Sequence, residues 1–253
     1  MLRSTFLFIP GVGPTTERTL WKQGFSDWTL LRENLKEAKL GTASIEDAKK
    51  ALDTAELMLS EGNHQYFAKK LGIAEAWRAW PHFKDSMVYL DIETDGGMRG
   101  ESVTMIGLYD GKDFKALIKD DSIEEFKDLI THYSMIVTFF GTGFDLPMLQ
   151  KRFWGMQFDQ IHLDLCPTLK RLGYRGGLKK IERQVGISRA EETDGLSGMD
   201  AIHLWSRHLR GDESALPTLI AYNREDVVNL EKLAELAYSK LEVSVRGNLG
   251  VLC

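Results

Sequence analysis

Tyr89-Leu90-Asp91-Ile92-Glu93-Thr94-Asp95-Gly96 is the stretch whose reading decides the fold. Its lead-in, Met87 to Leu90, is apolar and reads as a buried strand. Residues two apart on a strand share a face. Asp91 and Glu93 therefore project together, while Leu90 and Ile92 face a core on the other side. Two neighbouring carboxylates on a core strand cost free energy unless something positive lies between them. A divalent cation is the usual remedy, and all-oxygen ligation suits magnesium or manganese. On an edge strand the same two acids would simply be solvated. This stretch alone leaves both readings open.

Downstream, Ser102 to Tyr109 reads as a second strand and Asp110-Gly111 as a hairpin turn. Phe114 to Ile118 is the expected third strand, antiparallel to the second. A short helix is expected over Ile123 to Ile130. Met135 to Phe140 is a fourth strand, apolar enough to be buried on both faces. Gly141-Thr142-Gly143 turns the chain into a helix from about Phe144 to Phe153, with Asp145 at its start, where the dipole favours an acid. Ile161 to Leu165 is a short fifth strand carrying Asp164. Helices follow over Leu178 to Val185 and Met199 to Leu209, and a long one starts near Ser214, with Pro217 in its first turn. Its buried stripe is Leu216, Ile220, Val227, Leu230 and Ala234, and Tyr222 and Asp226 lie four apart on an adjoining face. The tail after Lys240 has no clear pattern. Three strands in a meander, then strand-helix alternation, predict an α/β mixed sheet flanked by helices.

Upstream, Ser44 caps a helix with the stripe Ile45, Ala48, Leu52, Ala55 and Leu59, which ends at Gly62-Asn63. A second helix follows through Phe67, Leu71 and Trp77 and closes before Pro81. Nearer the start, Gly11-Val12-Gly13-Pro14 leads into a helix, and amides at such a start can hold a phosphate. Ile9, Gly11, Val12, Gly13 and Leu20 resemble the hairpin of the helix-hairpin-helix family, which implies a nucleic-acid backbone as ligand. Glu17 departs from that pattern, and the segment before Ile9 is short for a first helix. The alternative is a glycine turn that packs Trp21, Phe25 and Trp28. The expected segments are 1–40 for the hairpin region, 41–84 for a helical connector, 85–240 for the sheet domain and 241–253 for a tail.

The chain has 253 residues, 43% hydrophobic and 27% charged, which is ordinary for a globular protein. A net charge of -5 argues against nucleic-acid binding through bulk charge, though not against a local basic stripe. Cys166 and Cys253 are too few for a disulfide framework or a cysteine zinc site, and six scattered histidines show no ligand spacing. The apolar run Met1 to Ile9 meets Pro10-Gly11 too soon for a signal peptide or a membrane span, so a cytoplasmic protein is expected.

Asp91 and Glu93, then Asp145, then Asp226 with Tyr222 one turn before it, each sit at the end of a core element. Their order and flanks resemble the DEDD exonuclease superfamily, of ribonuclease-H-like fold, in its tyrosine-bearing subclass. The three motifs are Tyr89 to Thr94, Thr138 to Leu149 and Tyr222 to Asp226. The pattern is similar to that of the proofreading domain of family B DNA polymerases and of the YprB-like nucleases. The stretches Gly177 to Glu182 and Gly195 to Asp200 are similar to the latter. Phe140 stands where the second motif usually has asparagine.

The resemblance implies a 3'-5' exonuclease of DNA or RNA ends that uses two Mg2+ or Mn2+ ions. Asp91 would bridge the ions, Glu93 and Asp226 would complete the first, and Asp145 would act on the second through water. Tyr222 would orient the attacking water. Phe140 and Phe144 are candidate contacts to bases. Lys179 and Lys180, with Arg171, Arg175 and Arg183, would track phosphates or else form a solvated face. Asp164 and Glu225 are expected to be structural. Two other classes stay open: a catalytically weak nucleic-acid-binding module, and a structure-selective endonuclease on the same fold.

Overall fold

The computed structural model describes residues 1–247. β1 (Met87–Thr94) is the middle strand of a five-stranded sheet. β2 (Val103–Tyr109) lies antiparallel on one side of it and β3 (Phe114–Ile118) antiparallel beyond that. On the other side lie β4 (Met135–Thr138) and β5 (Ile161–Asp164), both parallel, giving the order β3-β2-β1-β4-β5. Both ends of the sheet are thus reached by the meander and crossovers read from the sequence. The fold class is the expected one, a mixed sheet flanked by helices after a helical N-terminal region.

Alternation along β1 divides the core. Val88, Leu90 and Ile92 face Phe126, Met148, Leu149 and Phe153 in one apolar cluster. These come from α5 (Phe126–Leu129), α6 (Asp145–Arg152) and the residue after it. Met87 and Tyr89 face the other way, into a cluster shared with α7 (Leu165–Arg171), α8 (Leu178–Gln184) and α10 (Ala215–Arg246). Asp91 and Glu93 continue that second face where the strand outruns its apolar cover. α9 (Gly198–Leu209) packs with the first turns of α10 over Met105 of β2.

The N-terminal helices are α1 (Pro14–Lys22), α2 (Trp28–Glu33), α3 (Ile45–Ser60) and α4 (His64–Glu75). Ser44 and Asn63 cap α3 and α4 by accepting from the amides of Asp47 and Tyr66. Of the expected α3 stripe, Ala48, Leu52, Ala55 and Leu59 are buried, while Ile45 lies at the exposed first turn. Only a 3-10 turn, Leu2–Ser4, precedes the glycine turn. The carboxylate of Glu17 is buried and accepts from Thr5 Oγ1 and the Phe6 amide. It also lies 3.0 Å from Arg78, tying α1 to the chain just before the sheet.

Several boundaries differ from the sequence reading. The fourth strand stops at Thr138, because Phe140 takes a left-handed backbone with φ 68°. The helix expected over Ile123 to Ile130 is one α turn between two 3-10 turns. The inward face of α10 begins with Ala215, Leu219 and Tyr222, with Leu216 and Ile220 only half-buried. The expected tail continues α10 to Arg246, and 248–253 lie outside the described residues. No helix of the described residues is long and apolar enough to cross a membrane.

Candidate active site

Asp91 and Glu93 leave β1 on the side covered by α10 and meet Asp226 there. One carboxylate oxygen from each lies within 4.8 Å of the other two. Tyr222 precedes Asp226 by four residues, which puts both on one face of α10; both are buried. These residues line a cavity of about 290 Å³ together with Thr94, Phe144, Gly198 and Ile202. A wider cleft of about 560 Å³ around Trp154 and Gln160 holds no such grouping of acids.

Asp145 opens α6 and is 2% exposed. Its Oδ1 accepts the Ile92 amide at 3.1 Å, so it is fastened to the backbone between Asp91 and Glu93. It stands beside the trio without joining it, and its charge is the foremost electrostatic influence on Asp91.

Crowding buried acids makes ionisation costly. Burial pushes the Asp91 carboxyl well above the usual range, and Asp145, Asp226 and Glu93 add to the rise. Glu93 is raised to about 8 by burial and then by Asp226. Asp145 is raised to about 7, chiefly by burial. Asp226 reaches about 6, where burial outweighs the pull of Arg189. Burial, followed by the charges of Asp226, Glu93 and Asp91, also raises the Tyr222 phenol, so it stays neutral.

The local positive charge comes from two side chains. Lys179 of α8 donates to Tyr222 Oη at 2.6 Å and also to the Leu196 carbonyl. Arg189, in the loop after α8, lies 2.5 Å from Asp226 Oδ1 and makes a two-pronged pair with Glu182 at 2.7 and 2.8 Å. Burial opposes the Arg189 charge, but Glu182 and Asp226 outweigh it. Glu182 also accepts from Asn229 at 3.0 Å, while Arg189 Nη1 is buried without a hydrogen-bond partner. Asn223 supplies a neutral donor, its Nδ2 lying 3.0 Å from Asp91 Oδ2 and 3.4 Å from Glu93 Oε1. What remains is a group of carboxylate oxygens with unmet demand for positive charge. Asp91, Glu93 and Asp226 could hold a metal ion, and an all-carboxylate donor set suits a hard divalent one.

The other sequence candidates are placed as follows. Phe140 is 56% exposed on the loop before α6. Its amide and that of Thr142 donate to the two oxygens of Asp164, at 2.8 and 3.1 Å, and Asp164 also caps α7. Asp164 therefore shapes the loop and takes no place among the trio. Glu225 accepts from the Ala190 amide at 2.8 Å and from Thr193 Oγ1, and so fastens the loop that carries Arg189. Lys180 is exposed and lies along Gly176. Arg171 pairs with Glu75 and Arg183 with Asp194, so the basic stripe is partly neutralised. In the N-terminal turn Val12 is buried, and Gly11 has φ 86° with Thr42 and Ala43 packed against it. Gly13 is the N-cap of α1.

Sequence reasoning assigned no role to Arg189 or Asn223. Asn223 lies within the third motif, one residue from Tyr222. Arg189 carried no periodicity or spacing that could mark it.

A family model described as RNase_H superfamily matches residues 88–238. No curated protein matches the chain. Among solved structures, the family B DNA polymerase from the hyperthermophilic archaeon Pyrobaculum calidifontis is similar at 18% identity with a TM-score of 0.47. That match covers 62% of this chain and only 24% of the polymerase chain.

Proposed function

We propose, from the premise that the chain belongs to the RNase H superfamily, that it is a metal-dependent 3'-5' exonuclease of the tyrosine-bearing DEDD type. The observation that carries this reading is the meeting of Asp91, Glu93 and Asp226 within 4.8 Å, with Tyr222 in the same cavity and Asp145 beside it. The reaction is hydrolysis of a phosphodiester in DNA or RNA. A water oxygen attaches to phosphorus, the bond from phosphorus to the 3' oxygen breaks, and that oxygen leaves with a proton. Mg2+ or Mn2+ ions, when bound, would offset the phosphate charge and lower the pKa of water.

The protein's own part is placement. Asp91, Glu93 and Asp226 present ligand oxygens, with Asp145 next to Asp91. The neutral Tyr222 phenol, held by Lys179 at 2.6 Å, directs its own proton toward the attacking water. Phe144 lines the cavity, and the exposed Phe140 ring offers a face to an unpaired base. Lys179 and Lys180 contact phosphates, and the Gly11-Val12-Gly13 turn at the start of α1 grips the backbone at a distance.

The test uses end-labelled DNA and RNA oligonucleotides with Mg2+ or Mn2+. Stepwise shortening from the 3' end is expected, falling to background for Asp91→Ala. Full activity in that variant would remove the proposed site. Cleavage of circular single-stranded DNA would replace the exonuclease by an endonuclease.

A further inference from the structure

Asn223 is 0% exposed and spends its amide on two acids. One Nδ2 proton can face Asp91 Oδ2, at 3.0 Å, and the other Glu93 Oε1, at 3.4 Å. Its Oδ1 is buried without a hydrogen-bond partner. Turning the amide over would set Oδ1 against both carboxylates, so charge fixes the orientation. A buried carbonyl left without a donor costs stability. The fold accepts that cost here, beside two candidate ligands.

The space for the amide is also specified. Gly107 of β2 lies opposite Asp91 in the register of the two strands. A Cβ on Gly107 would stand 1.8 Å from Asn223 Oδ1 and 2.8 Å from its Cγ. Any larger residue at 107 would drive the amide from the acids. β1, β2 and α10 thus agree on a single position for this side chain. Its neutrality matters too. A lysine here would satisfy both acids by contributing charge, and so would oppose a divalent ion. An amide orders the same oxygens and leaves their charge to be met from elsewhere.

We infer that Asn223 is a positioning residue that holds Asp91 and Glu93 at ligand spacing for a divalent cation, and that Gly107 is required to admit it. The inference rests on the metal-dependent reading above. Groups that orient metal ligands typically change affinity by about 10–100-fold when removed.

The experiment is calorimetric titration of the 253-residue chain with Mn2+, on wild type, N223L and N223A, with circular dichroism to establish folding. Leucine keeps the shape without donors, and alanine removes the bulk as well should leucine misfold. Both are expected to bind Mn2+ at least about tenfold more weakly. G107A should do the same with every ligand intact. On a labelled oligonucleotide kcat should fall while KM stays within about twofold, a split that general loosening would not give. A folded variant at residue 223 that binds Mn2+ as tightly as wild type overturns the inference alone. A wild-type chain that takes up no Mn2+ overturns the metal-dependent reading and this inference with it.

Discussion

Glu93→Gln should stabilise the metal-free protein while abolishing the proposed nuclease activity. Burial and the neighbouring Asp226 raise the Glu93 carboxyl from 4.5 to about 8. A raised carboxyl binds its proton more tightly folded than unfolded. Its contribution is complete below pH 4.5 and is lost as pH rises toward 8. A shift of this size is worth roughly 5 kcal/mol at about 1.36 kcal/mol per unit. Part of that burden belongs jointly to Asp91, Asp145 and Asp226, so about 2 kcal/mol is the expected gain at pH 8. Glutamine keeps an acceptor for Asn223, and the hydrogen bond survives the change. For a chain of this length the gain corresponds to roughly 4–8 °C in Tm. The assay is thermal unfolding in EDTA at pH 8 and again at pH 4.5, where the difference should nearly vanish. Added Mn2+ should reverse the order at pH 8, because only wild type keeps all three candidate ligands. A Glu93→Gln protein melting at or below wild type in EDTA at pH 8 would refute the account of the site as an electrostatic burden.

Two other outcomes follow from features away from the trio. Phe140→Gly relieves a left-handed backbone worth about 1–2 kcal/mol, against an unfolded-state cost of about 0.5–1 kcal/mol for glycine. Stability should therefore hardly move, while KM for single-stranded oligonucleotides rises about fivefold or more through lost stacking; an unchanged KM would show that the ring touches no base. Arg78→Ala strips the counter-charge from buried Glu17, at 3.0 Å, and from Glu75, at 2.5 Å, and should cost about 3–5 kcal/mol in urea unfolding. Adding Glu17→Gln should recover part of that loss, and strict additivity of the two changes would contradict a direct pair.

Much of this fold was legible because its core strands state their exposure plainly. Met87 to Leu90 is buried on both faces, and its period-two pattern correctly separated Leu90 and Ile92 from the acids. The cap at Ser44 and the turn at Asp110-Gly111 were readable from local chemistry. What escaped depended on partners far along the chain. Arg189 lies in a loop, and its meaning comes from Asp226 and Glu182. Asn223 reaches Asp91 across 132 positions, and nothing adjacent to it signals an inward amide. The left-handed turn at Phe140 was hidden for the same reason. A phenylalanine at the end of the mostly apolar run Met135 to Phe139 reads as more strand, while the Asp164 carboxylate and the Thr138 hydroxyl, far and near along the chain, hold the bend. Leu216 and Ile220 were misjudged as the buried stripe because several faces of α10 are apolar enough to qualify, and α9 decides between them.

α10 runs unbroken for 32 residues, or about 48 Å. Its early turns carry Tyr222, Asn223 and Asp226, while Leu233, Ala237 and Leu241 pack in the same cluster as Trp77, Trp80 and Phe83, which come before the first strand. Cutting the chain ahead of β1 would therefore not release a self-sufficient sheet domain. It would lay bare one flank of the shaft that carries the candidate site, and the severed half would be prone to cling to its own kind.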